Sequence, residues 1–166
     1  AVDEALVATA KAVTAAVAGR RGAEQTSCYH PDAILAFSQG ANFATMLAAM
    51  AEHSDGAPPM LKAVVLFCGA RPGWTRQLPD LFSERDKLRT PALVVAAEPD
   101  PVVHDGPRAM AALFDDATLL THAEGHKPLP SADRAACEAL VRAVTDFLVA
   151  RCCCGHCSQT TSWSRA

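Results

Sequence analysis

Four short apolar runs constrain most strongly what this chain can fold into: Ala33-Ile34-Leu35-Ala36-Phe37, Ala63-Val64-Val65-Leu66-Phe67-Cys68, Ala92-Leu93-Val94-Val95-Ala96-Ala97 and Thr118-Leu119-Leu120-Thr121. Runs of this length, mostly without polar alternation, are the signature of parallel strands buried on both faces. Between and around them the apolar spacing turns helical. Residues 39–52 are rich in Ala, Met and Leu, and residues 106–114 carry Met110, Leu113 and Phe114 on one side. Residues 131–150 gather Cys137, Leu140, Val141, Val144 and Leu148 on one face. An Ala- and Val-rich helix is also predicted over 2–19, stopped by Arg20-Arg21-Gly22. Strands that alternate with helices predict an α/β fold, a mostly parallel sheet with helices on both faces. The stretch 70–90, with Pro72, Gly73, Trp74 and Pro79, is irregular. Periodicity ends at 150, so one ordered domain over 1–150 and a disordered Cys-rich tail over 151–166 are expected.

Composition narrows the function classes. A chain of 166 residues suits one domain with its own core. Net charge is −3 and the 15 basic residues form no long cluster, so nucleic-acid binding has no electrostatic footprint. Gly, Pro and charged residues interrupt every apolar run before it could span a bilayer. Asp3 and Glu4 near the start do not fit a signal peptide, which makes cytoplasmic the default location. The absence of an initiator Met suggests a fragment or processed product. Cys28, Cys68 and Cys137 read as scattered free thiols. Cys152, Cys153, Cys154 and Cys157 crowd beside His156 with no scaffold around them, so no metal site and no cofactor are expected.

In a parallel sheet, reactive groups collect beyond the carboxyl ends of the strands. Ser38 follows the first run and precedes a helix; Asp100 follows the third, in Glu98-Pro99-Asp100-Pro101; His126 follows the fourth, in Glu124-Gly125-His126-Lys127. A nucleophile, an acid and a base thus converge on one edge, in the chain order used by α/β-hydrolases. A strand that reverses at once into a helix would strain the Ser38 backbone and expose its hydroxyl. Small residues are expected two positions away on either side, where strand and helix approach; here they are Ala36 and Gly40. The helix starting at Gln39 would offer its backbone N–H to an oxyanion. Alternatives stay open at this level. Ser38 could be a plain N-cap, Asp100 a turn aspartate, and His126 a surface histidine. Asp105 (expected to cap the next helix) and the Asp115-Asp116 turn rival Asp100, and His122 rivals His126. His30, His53 and His104 read as solvated.

Ala36-Phe37-Ser38-Gln39-Gly40-Ala41, Cys68-Gly69-Ala70-Arg71-Pro72, Glu98-Pro99-Asp100-Pro101-Val102-Val103 and His122-Ala123-Glu124-Gly125-His126 together resemble the FSH-type serine hydrolases. The resemblance runs from about residue 3 to 150, although acyl-protein thioesterases and dienelactone hydrolases share the Ser-Gln-Gly elbow. It implies a partial α/β-hydrolase fold and hydrolysis of a small-molecule carboxylic ester or thioester through an acyl-enzyme. Ser38 would attack, His126 would move the proton, and Asp100 would orient the imidazole. Trp74, Leu81 and Phe82 would wall an acyl pocket or simply anchor a loop. By the same resemblance, on the order of 60–90 residues with a second oxyanion donor would precede this chain. Without that donor, a loss of roughly 100- to 1000-fold in turnover and poor solubility are expected. A catalytically impaired relic or an interaction protein is the rival reading.

Overall fold

A computed structural model describes residues 32–53, 61–70, 72–78 and 87–152. The helix expected over 2–19, together with Cys28, His30, Leu81, Phe82 and the tail beyond Cys152, lies outside these residues. The described elements are β1 (Ala33–Phe37), α1 (Gln39–Glu52), β2 (Ala63–Phe67), α2 (Trp74–Gln77), β3 (Ala92–Ala97), α3 (Gly106–Ala111), β4 (Ala117–His122) and α4 (Arg134–Cys152). The strands form one four-stranded sheet in the order β1-β2-β3-β4, and every pairing is parallel.

The apolar runs become strands because both faces of the sheet are covered. Val64, Leu66, Ala92 and Val94 pack with Ala41, Ala44 and Met46 of α1 and with Met110 of α3. The intervening residues, Val65, Phe67, Leu93 and Val95, pack with Leu140 and Val144 of α4 on the opposite face. No position of β2 or β3 is exposed, which explains why their sequences show no polar alternation. β1 and β4 flank them, and their patterns are mixed, with Leu35 54% exposed. Phe114, fully enclosed on the first face, contributes on the order of 1.5–3 kcal/mol by its burial alone.

Two helices depart from their expected bounds for identifiable reasons. α3 stops at Ala111 rather than reaching 114. There the chain tightens, with Leu113 and Phe114 donating to Met110 and Ala111, and Leu88 then bridges to Phe114. α4 begins at Arg134 rather than 131, because the Asp133 carboxylate caps it by accepting the Ala136 N–H at 3.0 Å. It continues through Cys152, two residues into the stretch expected to be disordered. Residues 74–77, read as irregular, form the short α2.

Register sets the level of every strand end. Phe37 pairs with Phe67, and the next N–H, that of Ser38, donates to the Phe67 carbonyl at 2.9 Å. Likewise Cys68 donates to Val95 at 2.8 Å and Glu98 to His122 at 2.7 Å. Ser38, Cys68 and Glu98 therefore leave the sheet along one edge, and the loops after β3 and β4 start from that same edge.

Candidate active site

Ser38 occupies the junction between β1 and α1, with φ 55° and ψ −120°. A non-glycine residue in that region is strained, and strain of this kind persists only where its surroundings enforce it. Here β1 is held by its ladder to β2, and the Ser38 carbonyl already accepts the Ala41 N–H at 3.0 Å. Ser38 stands at the N-cap position, yet its hydroxyl makes no capping bond. It lies instead 2.9 Å from Nε2 of His126. The crowding expected around Gly40 is mild, since a Cβ placed there would meet only the Ala36 methyl, at 3.9 Å.

Asp100 is buried. Its Oδ1 accepts the backbone N–H groups of Val102 at 2.8 Å and Val103 at 3.2 Å, which leaves Oδ2 facing His126 Nδ1 at 2.8 Å. Burial by itself would raise the Asp100 carboxyl. The His126 hydrogen bond and the two backbone donors outweigh it and hold the group below the ordinary carboxylate range. A carboxylate on Oδ2 makes Nδ1 the protonated nitrogen of a neutral His126 ring and leaves Nε2 as an acceptor for the Ser38 hydroxyl. The His126 ring thus spans the serine and the aspartate.

The loop that carries His126 is held at several points. Glu124 accepts the backbone N–H groups of Ser131, Ala132 and Asp133, along with Lys127 Nζ and the Ser131 hydroxyl. These donors, Ser131 first, pull its carboxyl down to about 2. Gly125 turns the chain with φ 59°, a region open to glycine. The Lys127 carbonyl accepts the His122 ring at 2.9 Å and the Cys68 thiol at 3.1 Å. Phe37, the residue before Ser38, sets its ring 5.0 Å from the His126 ring at a 42° tilt.

The rivals fall elsewhere. His122 is buried at the end of β4 and faces the Lys127 backbone. Asp105 occupies the expected N-cap position of α3, although its side chain makes no capping bond. The Asp116 backbone pairs at the opposite, amino edge of β3, and its side chain meets Arg151. His53 bonds to Ala49 at the end of α1, and His104 is exposed. Trp74 is buried in the core, where its ring N–H donates to Thr45 Oγ1 at 3.0 Å.

Three contributors escaped the sequence reading. Phe37 stood out only as a strand residue, Glu124 only as a motif flank, and Cys68 only as a buried thiol. Cys68 ends β2 with φ 46° and is fully buried. Its Sγ, an Asp100 oxygen and a His126 nitrogen all lie within 4.8 Å of one another. Burial pushes the Cys68 thiol above its ordinary range, and the Asp100 charge adds to the effect.

A parallel sheet with a strained serine between strand and helix, and helices on both faces, defines the α/β-hydrolase class of fold. The family profile described as Serine hydrolase (FSH1) matches residues 12–136, and the chain belongs to that family. Its fold is similar to that of an esterase from Rhizomucor miehei, with a TM-score of 0.60 and 17% identity over 85% of this chain. The chain spans 60% of that esterase's length. It is also similar to an α/β-hydrolase enzyme from the metagenome of sediments from the lagoon of Mar Chica, Morocco. There the TM-score is 0.58 and the identity 15%, over 88% of this chain and 70% of that one. No curated protein matches the sequence. None of the described helices is long and apolar enough to cross a membrane.

Proposed function

We propose that this protein hydrolyses small carboxylic esters or thioesters through an acyl-enzyme formed on Ser38. The observation that carries this reading is the His126 ring, 2.9 Å from the Ser38 hydroxyl on one side and 2.8 Å from the Asp100 carboxylate on the other. The Ser38 hydroxyl attacks the substrate carbonyl while His126 Nε2 takes its proton. Asp100 keeps the Nδ1 proton in place and offsets the charge of the imidazolium that forms. The N–H of Gln39, the first residue of α1, has no intrahelical acceptor and serves the developing oxyanion. His126 then returns its proton to the departing alcohol or thiol. A water activated by the same nitrogen releases the acid. Membership of a serine hydrolase family supports this chemistry.

The test is hydrolysis of p-nitrophenyl acetate together with labelling by a fluorophosphonate. The chain labels at Ser38, and Ser38→Ala loses both labelling and turnover, by about 10⁴-fold or more. Turnover that survives in the variant, or a wild-type chain that neither labels nor turns over, rejects the assignment. Comparing an oxygen ester with the thioester of the same acyl group then fixes the leaving-group class.

A further inference from the structure

We infer that Cys68, Asp100 and His126 form an inhibitory site for a thiophilic divalent cation such as zinc or cadmium, which removes His126 from the reaction when it binds. Three donors of different chemistry converge here. A thiol sulfur, a carboxylate oxygen and an imidazole nitrogen lie within 4.8 Å of one another, while the cation itself needs about 2.0–2.3 Å to each. The Asp100 oxygen and His126 Nδ1 are already 2.8 Å apart. Small side-chain shifts bring Cys68 into the same sphere. The thiol's present hydrogen bond, to the Lys127 carbonyl at 3.1 Å, is given up when it ionises. The His126 side chain is 18% exposed and provides the way in past otherwise buried groups.

The charges and protons balance. The thiol gives up one proton to solvent, so the dication meets one thiolate and one carboxylate and the site becomes neutral. His126 releases no proton. It changes tautomer, handing Nδ1 to the cation and carrying its hydrogen on Nε2. In that form Nε2 donates rather than accepts and cannot take the Ser38 proton. Inhibition thus follows from the tautomer and needs no blockage of the substrate's path. Burial of the Cys68 thiol opposes loss of its proton and limits the affinity. The inhibitory consequence rests on the proposed role of His126; the binding itself does not.

Cadmium is the direct probe, because its bond to a thiolate has an ultraviolet charge-transfer band. In the full chain with Cys28, Cys137, Cys152, Cys153, Cys154 and Cys157 replaced by serine, titration should saturate the band at one equivalent. Adding Cys68→Ser should abolish it. Adding His126→Ala or Asp100→Asn should weaken binding by at least about 10- to 100-fold, the loss already typical of outer-shell partners. No band, or a band indifferent to His126→Ala and Asp100→Asn, overturns the site. If the serine-substituted chain does not fold, the native chain carries the same comparison. Cys68→Ser must then bind one thiolate-bound cadmium fewer than wild type, and equal binding overturns the inference. These readings need no turnover, so a chain that binds cadmium here but cleaves no ester keeps the cation site and loses both the hydrolase reading and the inhibition that rests on it. In an active chain, zinc should inhibit, a chelator should restore the rate, and Cys68→Ser should raise the half-inhibiting zinc concentration by about 10-fold or more, each rate taken relative to the same protein without metal.

Discussion

The His122 ring donates from Nε2 to the Lys127 carbonyl at 2.9 Å, while its Nδ1 accepts the Glu124 N–H at 3.2 Å. Both ring nitrogens are thus committed to the backbone of the loop that carries His126. The two histidines at the end of β4 have separate roles: one holds the loop, and the other faces serine and aspartate. His126→Ala should reduce ester hydrolysis by about 10⁴-fold or more with folding intact. His122→Phe keeps a ring of similar size and removes both bonds. It should cost about 1–3 kcal/mol in urea unfolding while retaining measurable turnover. The opposite ranking of the two variants in kcat would exchange their roles.

Asp100→Asn tests the tautomer. The amide replaces the carboxylate that keeps hydrogen on Nδ1, and it can present an N–H to that nitrogen instead. By the effect known for such triads, kcat should fall by about 10⁴-fold. The amide oxygen can still accept the Val102 and Val103 N–H groups, so the chain should stay folded, with a loss of about 1–3 kcal/mol in thermal unfolding. Turnover within tenfold of wild type would remove Asp100 from the mechanism.

The Phe37 ring packs against the His126 ring and adds to the restraint that Asp100 gives it. An aromatic pair of this kind contributes about 0.5–1.5 kcal/mol beyond its burial. Phe37→Ala should therefore lower kcat by about 3- to 10-fold, and Phe37→Tyr should restore it. A loss confined to KM would mean that the ring contacts substrate instead.

Glu124 gives the loop an acid-sensitive anchor. Its carboxyl sits at about 2 in the folded chain, below the ordinary value of 4.5. As pH falls, the unfolded chain takes up this proton first, so acid favours unfolding. The stabilisation is fully present above 4.5 and is lost as pH falls from there toward 2. Glu124→Gln should be less stable than wild type at pH 6, and the difference should shrink across that window in urea titrations. A difference independent of pH would show that the charge of Glu124 is irrelevant.

Two glycines make opposite predictions. A Cβ on Gly106, at the start of α3, would lie 2.7 Å from the Ala70 Cα and 2.8 Å from the Gly69 carbonyl oxygen, both backbone atoms. Gly106→Ala should destabilise by about 1–3 kcal/mol, because the backbone must move. Gly40→Ala meets open space apart from one methyl at 3.9 Å and removes a poor helix former, so it should be neutral or stabilising by up to about 1 kcal/mol. Thermal unfolding of the two variants compares them directly.

Local sequence decided the element order and most of the edges. β1, α1 and β3 lie where short apolar runs and helical spacing put them, because those periods come from burial within a single element. The chain positions of Ser38, Asp100 and His126 were legible too, since a parallel sheet sends every strand's carboxyl end to one edge. Their mutual distances were not, because they depend on strand register and on the paths of two loops. The tertiary structure set His126 against Asp100, His122 against the Lys127 carbonyl and Trp74 against Thr45, none of which a local pattern shows. It alone brought Cys68 to the Lys127 carbonyl, 59 residues along the chain. Contacts at such separations leave no local pattern to read; they exist because β2, β3 and β4 pair in one register and so bring the loops at their ends together.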